Sequence, residues 1–122
     1  MPHDTICILM RRAPYGVIHA AEALRHVGGA LDSGLRVHLL LVDDGVYVAK
    51  RDQRTEGSDW VNLGLRLQEL MLTAPIDTLT VDAEGRSLRA RGMRAADLLD
   101  GVAVIGESEF AARMASAPLM AY

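Results

Sequence analysis

Thr5-Ile6-Cys7-Ile8-Leu9-Met10 is an unbroken apolar, partly β-branched run that stops at Arg11-Arg12-Ala13-Pro14. This is the pattern of a strand buried on both faces, and hence of a parallel sheet. After Pro14 and Gly16 the period changes, with Val17, Ala20, Ala21, Leu24, Val27 and Leu31 recurring every three or four residues. That spacing predicts a helix ending near Asp32-Ser33-Gly34. Residues 37–42 read as a second buried strand closed by Asp43-Asp44-Gly45, residues 46–50 as a short helix, and residues 51–59 as a mobile polar loop. A second long helix is predicted from Trp60 to about Thr73. Its residues Leu63, Leu67, Leu70 and Met71 share one face, while Val61 and Leu65 lie on another, which is more apolar surface than one core contact uses. Residues 77–81 form a third strand with Asp82-Ala83-Glu84-Gly85-Arg86 as its exit loop. A short amphipathic helix over 92–100, a strand over 101–106, a helix over 107–116 and an edge strand over 118–122 complete the pattern.

Alternating strands and helices predict an α/β fold: a single domain over residues 1–122, with a mostly parallel five-stranded sheet and helices on both faces. The flavodoxin-like order 2-1-3-4-5 is the commonest arrangement for this pattern, and it puts the ligand crevice at the carboxyl ends of the first and third strands.

Composition narrows the function. Thirteen Lys plus Arg against sixteen Asp plus Glu give a net charge of -3, so no nucleic-acid partner is expected. Only one Trp, one Phe and three Tyr are present, leaving little for base stacking. A single cysteine excludes an internal disulfide and multi-cysteine zinc or iron–sulfur sites. Nowhere do about eighteen apolar residues run together, and Met1-Pro2-His3-Asp4 lacks the pattern of a secretory leader. A cytoplasmic protein with no membrane partner is expected.

The strand-exit rim gathers the candidate chemistry. Arg11 and Arg12 stand just before a helix whose unpaired N–H groups favour an anion. Tyr15 and His19 lie in the same stretch, and Asp43, Asp82 and Glu84 lie at the other strand exits. There is no glycine-rich dinucleotide fingerprint and no Walker lysine, so no nucleotide cofactor is expected. The acidic residues Asp43, Asp44, Asp82, Glu84, Glu107 and Glu109 follow no calcium-loop spacing, and no metal is expected. Asp82, Glu84 or His19 could serve as an acid or base, but no nucleophile stands beside His19. Cys7 sits mid-strand as a small hydrophobe, Met114 and Met120 read as adaptable packing, and His26 and His38 carry no assigned role.

The first strand leading into Ala13-Pro14-Tyr15-Gly16, the small-residue helix around Ala20-Ala21-Glu22-Ala23-Leu24, the Asp43-Asp44-Gly45-Val46 turn and the leucine-rich helix before the third strand resemble the DsrE/DsrF-like family. The resemblance spans nearly the whole chain and implies a small α/β subunit that assembles into trimers or hexamers in intracellular sulfur relay. It also implies that a sulfur-carrying member holds its acceptor cysteine at the exit of the third strand. Here that stretch is Thr80-Val81-Asp82-Ala83-Glu84-Gly85-Arg86, without a thiol. The expectation is a non-catalytic subunit acting through oligomer assembly, by self-association or with related family subunits. The alternative is a small-anion or small-molecule binding module around Arg11, Tyr15 and Asp82.

Overall fold

Every connection between strands carries a helix, and every strand pairing is parallel. The computed structural model describes residues 4–122; Met1, Pro2 and His3, read above for a leader, lie outside the described residues. The strands are β1 (Thr5–Met10), β2 (Arg36–Leu41), β3 (Leu79–Glu84), β4 (Val102–Ile105) and β5 (Leu119–Ala121). The helices are α1 (His19–Asp32), α2 (Leu63–Thr73), α3 (Gly85–Ala90) and α4 (Glu107–Met114). A 3-10 helix over Asp43–Ala49 follows β2.

The fold is the open α/β arrangement of the flavodoxin-like kind, with the sheet order β4-β3-β2-β1-β5 in place of 2-1-3-4-5. Three crossovers step the chain in one direction from β1 to β4, and the fourth returns past the whole sheet to β5. The order therefore reverses between β1 and β5, and β2 occupies the place beside β1 that the third strand was expected to take. Register is set by the apolar runs: Ile8 lies opposite Leu39, and Leu39 opposite Val81.

Right-handed crossovers in one direction all fall on one side of the sheet. There Ile8, Met10, Val37, Leu39, Leu41, Val81 and Ala83 meet Ala20, Ala23, Leu24 and Val27 of α1, Leu63, Leu67 and Leu70 of α2, and Leu88 of α3. The other side holds a smaller cluster of Cys7, Leu9, Leu40, Ile105 and Phe110 under α4. Local signals close the helices. Gly34, at φ +86°, ends α1, with its N–H donating to the Leu31 carbonyl and that of Leu35 to Ala30, the Schellman pattern. Asn62 caps α2 by accepting from the Leu65 N–H at 3.0 Å.

Two expectations are corrected. Residues 82–84 continue β3 instead of forming a loop, because their backbone pairs with β2, Leu40 opposite Asp82 and Leu41 opposite Ala83. The helix read over 92–100 is reduced to a 3-10 turn at Ala95–Asp97. The Arg51 N–H donates to the Asp97 carbonyl and the Leu99 N–H to that of Ala49, both at 2.8 Å, which holds residues 97–99 against the segment after β2. The helix between β3 and β4 lies earlier, as α3, which begins directly at the end of β3.

Gly45 is required by space. A Cβ there would lie 2.0 Å from the Met10 carbonyl oxygen, an overlap with β1 backbone that no rotamer can relieve. Gly45→Ala is expected to lower unfolding free energy by about 3 kcal/mol or more in urea titration. Gly29→Ala, on a stretch of α1 open for 4 Å around, is expected to raise it by about 0.5–1 kcal/mol.

Candidate functional site

The carboxyl ends of the strands present two separate arrangements, and the sheet face under α4 a third. At the exit of β1, the Tyr15 hydroxyl donates to Gln53 Oε1 at 2.5 Å and accepts from the Leu63 N–H at 3.1 Å, while its ring meets Trp60 edge-on at 6.1 Å. Gln53 Nε2 donates to the carbonyls of Tyr47, Val48 and Lys50 at 3.2, 2.8 and 3.0 Å, and the Gln53 carbonyl accepts from Asn62 Nδ2. One glutamine thus ties the loop expected to be mobile to the 3-10 helix and to the start of α2. Beside it lies a hollow of about 340 Å³ lined by Ala13, Pro14, Tyr15, Tyr47, Lys50, Gln53 and Arg54.

At the exits of β2 and β3, Asp43 adopts the left-handed conformation, at φ +52°, a region that Asp enters more readily than most residues. Its N–H donates to Ser87 Oγ at 2.8 Å, and Ser87 Oγ in turn donates to Glu84 Oε1 at 2.6 Å. Arg91 Nε donates to Asp44 Oδ1 at 2.9 Å and Nη1 to the Ser87 carbonyl at 3.1 Å. Asp43 and Glu84 line one hollow of about 310 Å³ together with Arg86, Ser87 and Arg91. Carboxylates and guanidinium groups balance there, and Ser87, with both roles of its hydroxyl filled, links the turn after β2 to α3.

Asp82 belongs to neither hollow. Its side chain, 4% exposed, faces α4, where Arg113 Nη1 donates to Oδ2 at 2.6 Å. Burial raises the Asp82 carboxyl above the ordinary range, and the Arg113 guanidinium and His38 oppose that shift. On the same face His38 Nδ1 lies 2.6 Å from Thr80 Oγ1. Burial, and then the positive charge of Arg113, push the His38 imidazole below its ordinary value. Cys7 is fully buried beneath the same helix, with its thiol donating to the Arg113 carbonyl at 3.2 Å.

Of the residues expected at one rim pocket, the structure brings together only Asp43 and Glu84. Arg11 and Arg12 are exposed and their side chains hydrogen-bond to no described residue. His19, half-buried at the start of α1, does the same. Arg11, Tyr15 and Asp82 therefore share no site, because β3 lies beyond β2 and the Asp82 side chain points to the opposite face. Gln53, Ser87 and Arg113 went unnoticed in the sequence. Gln53 and Ser87 have no local signature, and only the spacing of Glu109 and Arg113, four apart on α4, marked the latter. Among the described residues no group of three or more His, Cys, Asp or Glu is placed to hold a metal ion, and no helix is long and apolar enough to cross a membrane.

Comparison with known proteins gives a consistent picture. The DsrE/DsrF-like family matches residues 4–118. An uncharacterised protein of Methanocaldococcus jannaschii is 34% identical over 95 residues, 77% of each chain. The intracellular sulfur oxidation protein DsrF of Allochromatium vinosum is 37% identical over 94 residues, 75% of this chain and 65% of that protein. Among solved structures, the ychN protein from E. coli superposes with a TM-score of 0.84 at 24% identity, covering 98% of this chain and 100% of that one. A protein of unknown function from Methanobacterium thermoautotrophicum superposes with a TM-score of 0.73 at 18% identity, with the same coverage. Both carry the same fold.

The buried ion pair generates two expectations. Arg113→Met leaves a buried carboxylate without its partner and is expected to lower stability by about 2–3 kcal/mol at pH 7. The loss should shrink in acid, because a carboxyl raised in the folded state favours folding below its ordinary value and ceases to as pH rises through the folded one. Chemical denaturation of both proteins at pH 4 and pH 7 checks this. His38 runs the other way: its depressed value makes folding stability complete above 6.5 and progressively lost as pH falls through the folded value. His38→Gln is expected to flatten that part of the stability–pH curve.

Proposed function

This chain belongs to the DsrE/DsrF-like family, and from that premise we propose that it is a non-catalytic subunit of a cytoplasmic sulfur-relay assembly, working through association with copies of itself or with related family subunits as a trimer or hexamer. The observation that carries this reading is the apolar flank of α2. Leu65 and Leu72 are two turns apart on the side of the helix away from Leu63, Leu67 and Leu70, and are 62% and 79% exposed. Val61, just before the helix, and Ile76, just after it, are 69% and 89% exposed. Burying such side chains fully stabilises an interface by about 1.5–3 kcal/mol each, and a row this long facing water is the kind of surface that marks a partner.

The non-catalytic part rests on the thiol. A persulfide can form only on a cysteine, and the one in this chain lies inside β1 under α4, hydrogen-bonded and without exposure, whereas a reactive cysteine is partly exposed. The stretch from β3 into α3, where the resemblance places a carrier's acceptor, holds Asp82 and Glu84 instead.

Sedimentation velocity and native mass spectrometry at micromolar concentration test the assembly. The wild type is expected to run as a trimer or hexamer, alone or with a family subunit, and Leu65→Glu with Leu72→Glu to run as a folded monomer. A wild type that stays monomeric and binds no family subunit would sink the reading. Exposure of the native protein to a small persulfide donor is expected to leave its intact mass unchanged. A sulfur adduct on Cys7 that reduction removes would make the chain a carrier after all.

A further inference from the structure

We infer that the hollow beside Tyr15 and Tyr47 is a binding site for a small organic carboxylate with an apolar body. Its walls are Ala13, Pro14 and the two tyrosines, and its volume of about 340 Å³ is at the small end of the range for ligand pockets. Two of the polar side chains that line it, Tyr15 and Gln53, are already used. Tyr15 Oη is filled by Gln53 and the Leu63 N–H, and Gln53 Nε2 is spent on three carbonyls. Both residues therefore present rigid walls and leave no unmet hydrogen bond inside. Two charged residues of the lining are not used in this way. Lys50, the chain's only lysine, and Arg54 line the hollow, their side chains make no hydrogen bond or ion pair with a described residue, and no carboxylate lines it.

In a chain of net charge -3, two unpaired cations over an apolar floor select an anion, and the floor selects its shape. Inorganic phosphate or sulfate keeps its hydration and gains nothing from Pro14 and the tyrosine rings, whereas a carboxylate on a ring or branched chain leaves its charge beside the cations and buries the rest. Lys50 also borders a neighbouring hollow lined by Asp52 and Glu56. The Tyr15 wall is fixed before any ligand arrives, by Gln53, Leu63 and Trp60, so binding there orders little of the protein.

Saturation-transfer NMR and calorimetry on the assembled protein, with benzoate and isovalerate as probes, test the site. Transfer from tyrosine ring protons to the probe is expected. Affinity should fall about fivefold for Lys50→Gln or Arg54→Gln and further for the pair, the scale of one exposed charge contact each. Arg36→Gln, at the opposite end of the sheet, should change nothing, and neutral benzyl alcohol should bind more weakly than benzoate. The site is overturned if neither carboxylate binds the folded protein, if the double variant binds as the wild type does, or if sulfate displaces benzoate as well as isovalerate does. Each of these outcomes leaves the assembly measurement, made without probe, unaffected.

Discussion

The handedness of the strand crossovers governs how this molecule is divided. Steps from β1 to β2, β3 and β4 all move one way, so right-handed connections stack α1, α2 and α3 on a single face of the sheet. The return to β5 moves the other way, so α4 alone covers the second face. Two cores of unequal size result: a large one under α1 and α2, and a small one made by Cys7, Leu9, Leu40, Ile105 and Phe110. The eight-residue α4 fully buries only Phe110, with Met114 packed beside the cluster, and the Arg113–Asp82 pair supplies a further tether to the sheet. That pair also explains why an aspartate can sit in the middle of a parallel strand, since a buried carboxylate without its cation would be expelled or protonated.

The same winding decides what the rim can do. Because β2 separates β1 from β3, the residues at their exits do not converge. The short passage from β3 straight into α3 turns Glu84 toward Ser87 and the Asp43 N–H, which uses these polar groups to join elements. What remains open is the β1 exit, where Gln53 organises the loop and the tyrosines form walls. The rim is thus structural at one end and receptive at the other.

Strand exits without a thiol, a cysteine sealed in β1 and an apolar flank along α2 fit a subunit whose task is to complete an assembly. The carboxylate site beside Lys50 and Arg54 would give such a subunit a ligand of its own. The two features occupy different elements, so each can be present without the other.

The order of elements, the parallel sheet and most of the core were legible in the sequence, because unbroken apolar runs and a 3.6-residue period depend on local chain geometry and on burial that a one-dimensional pattern records. β1 coincides with its reading, and Val61 and Leu65 were recognisable as surplus apolar surface. The strand order was not legible, since the same alternation suits several windings and only packing selects one. Asp82 reads as a loop residue until Arg113, 31 positions away, is brought beside it. Residues 97–99 lose their helix to hydrogen bonds with residues 49 and 51. Long-range partners decided each of these, and no local pattern carries information about a partner the chain has yet to meet.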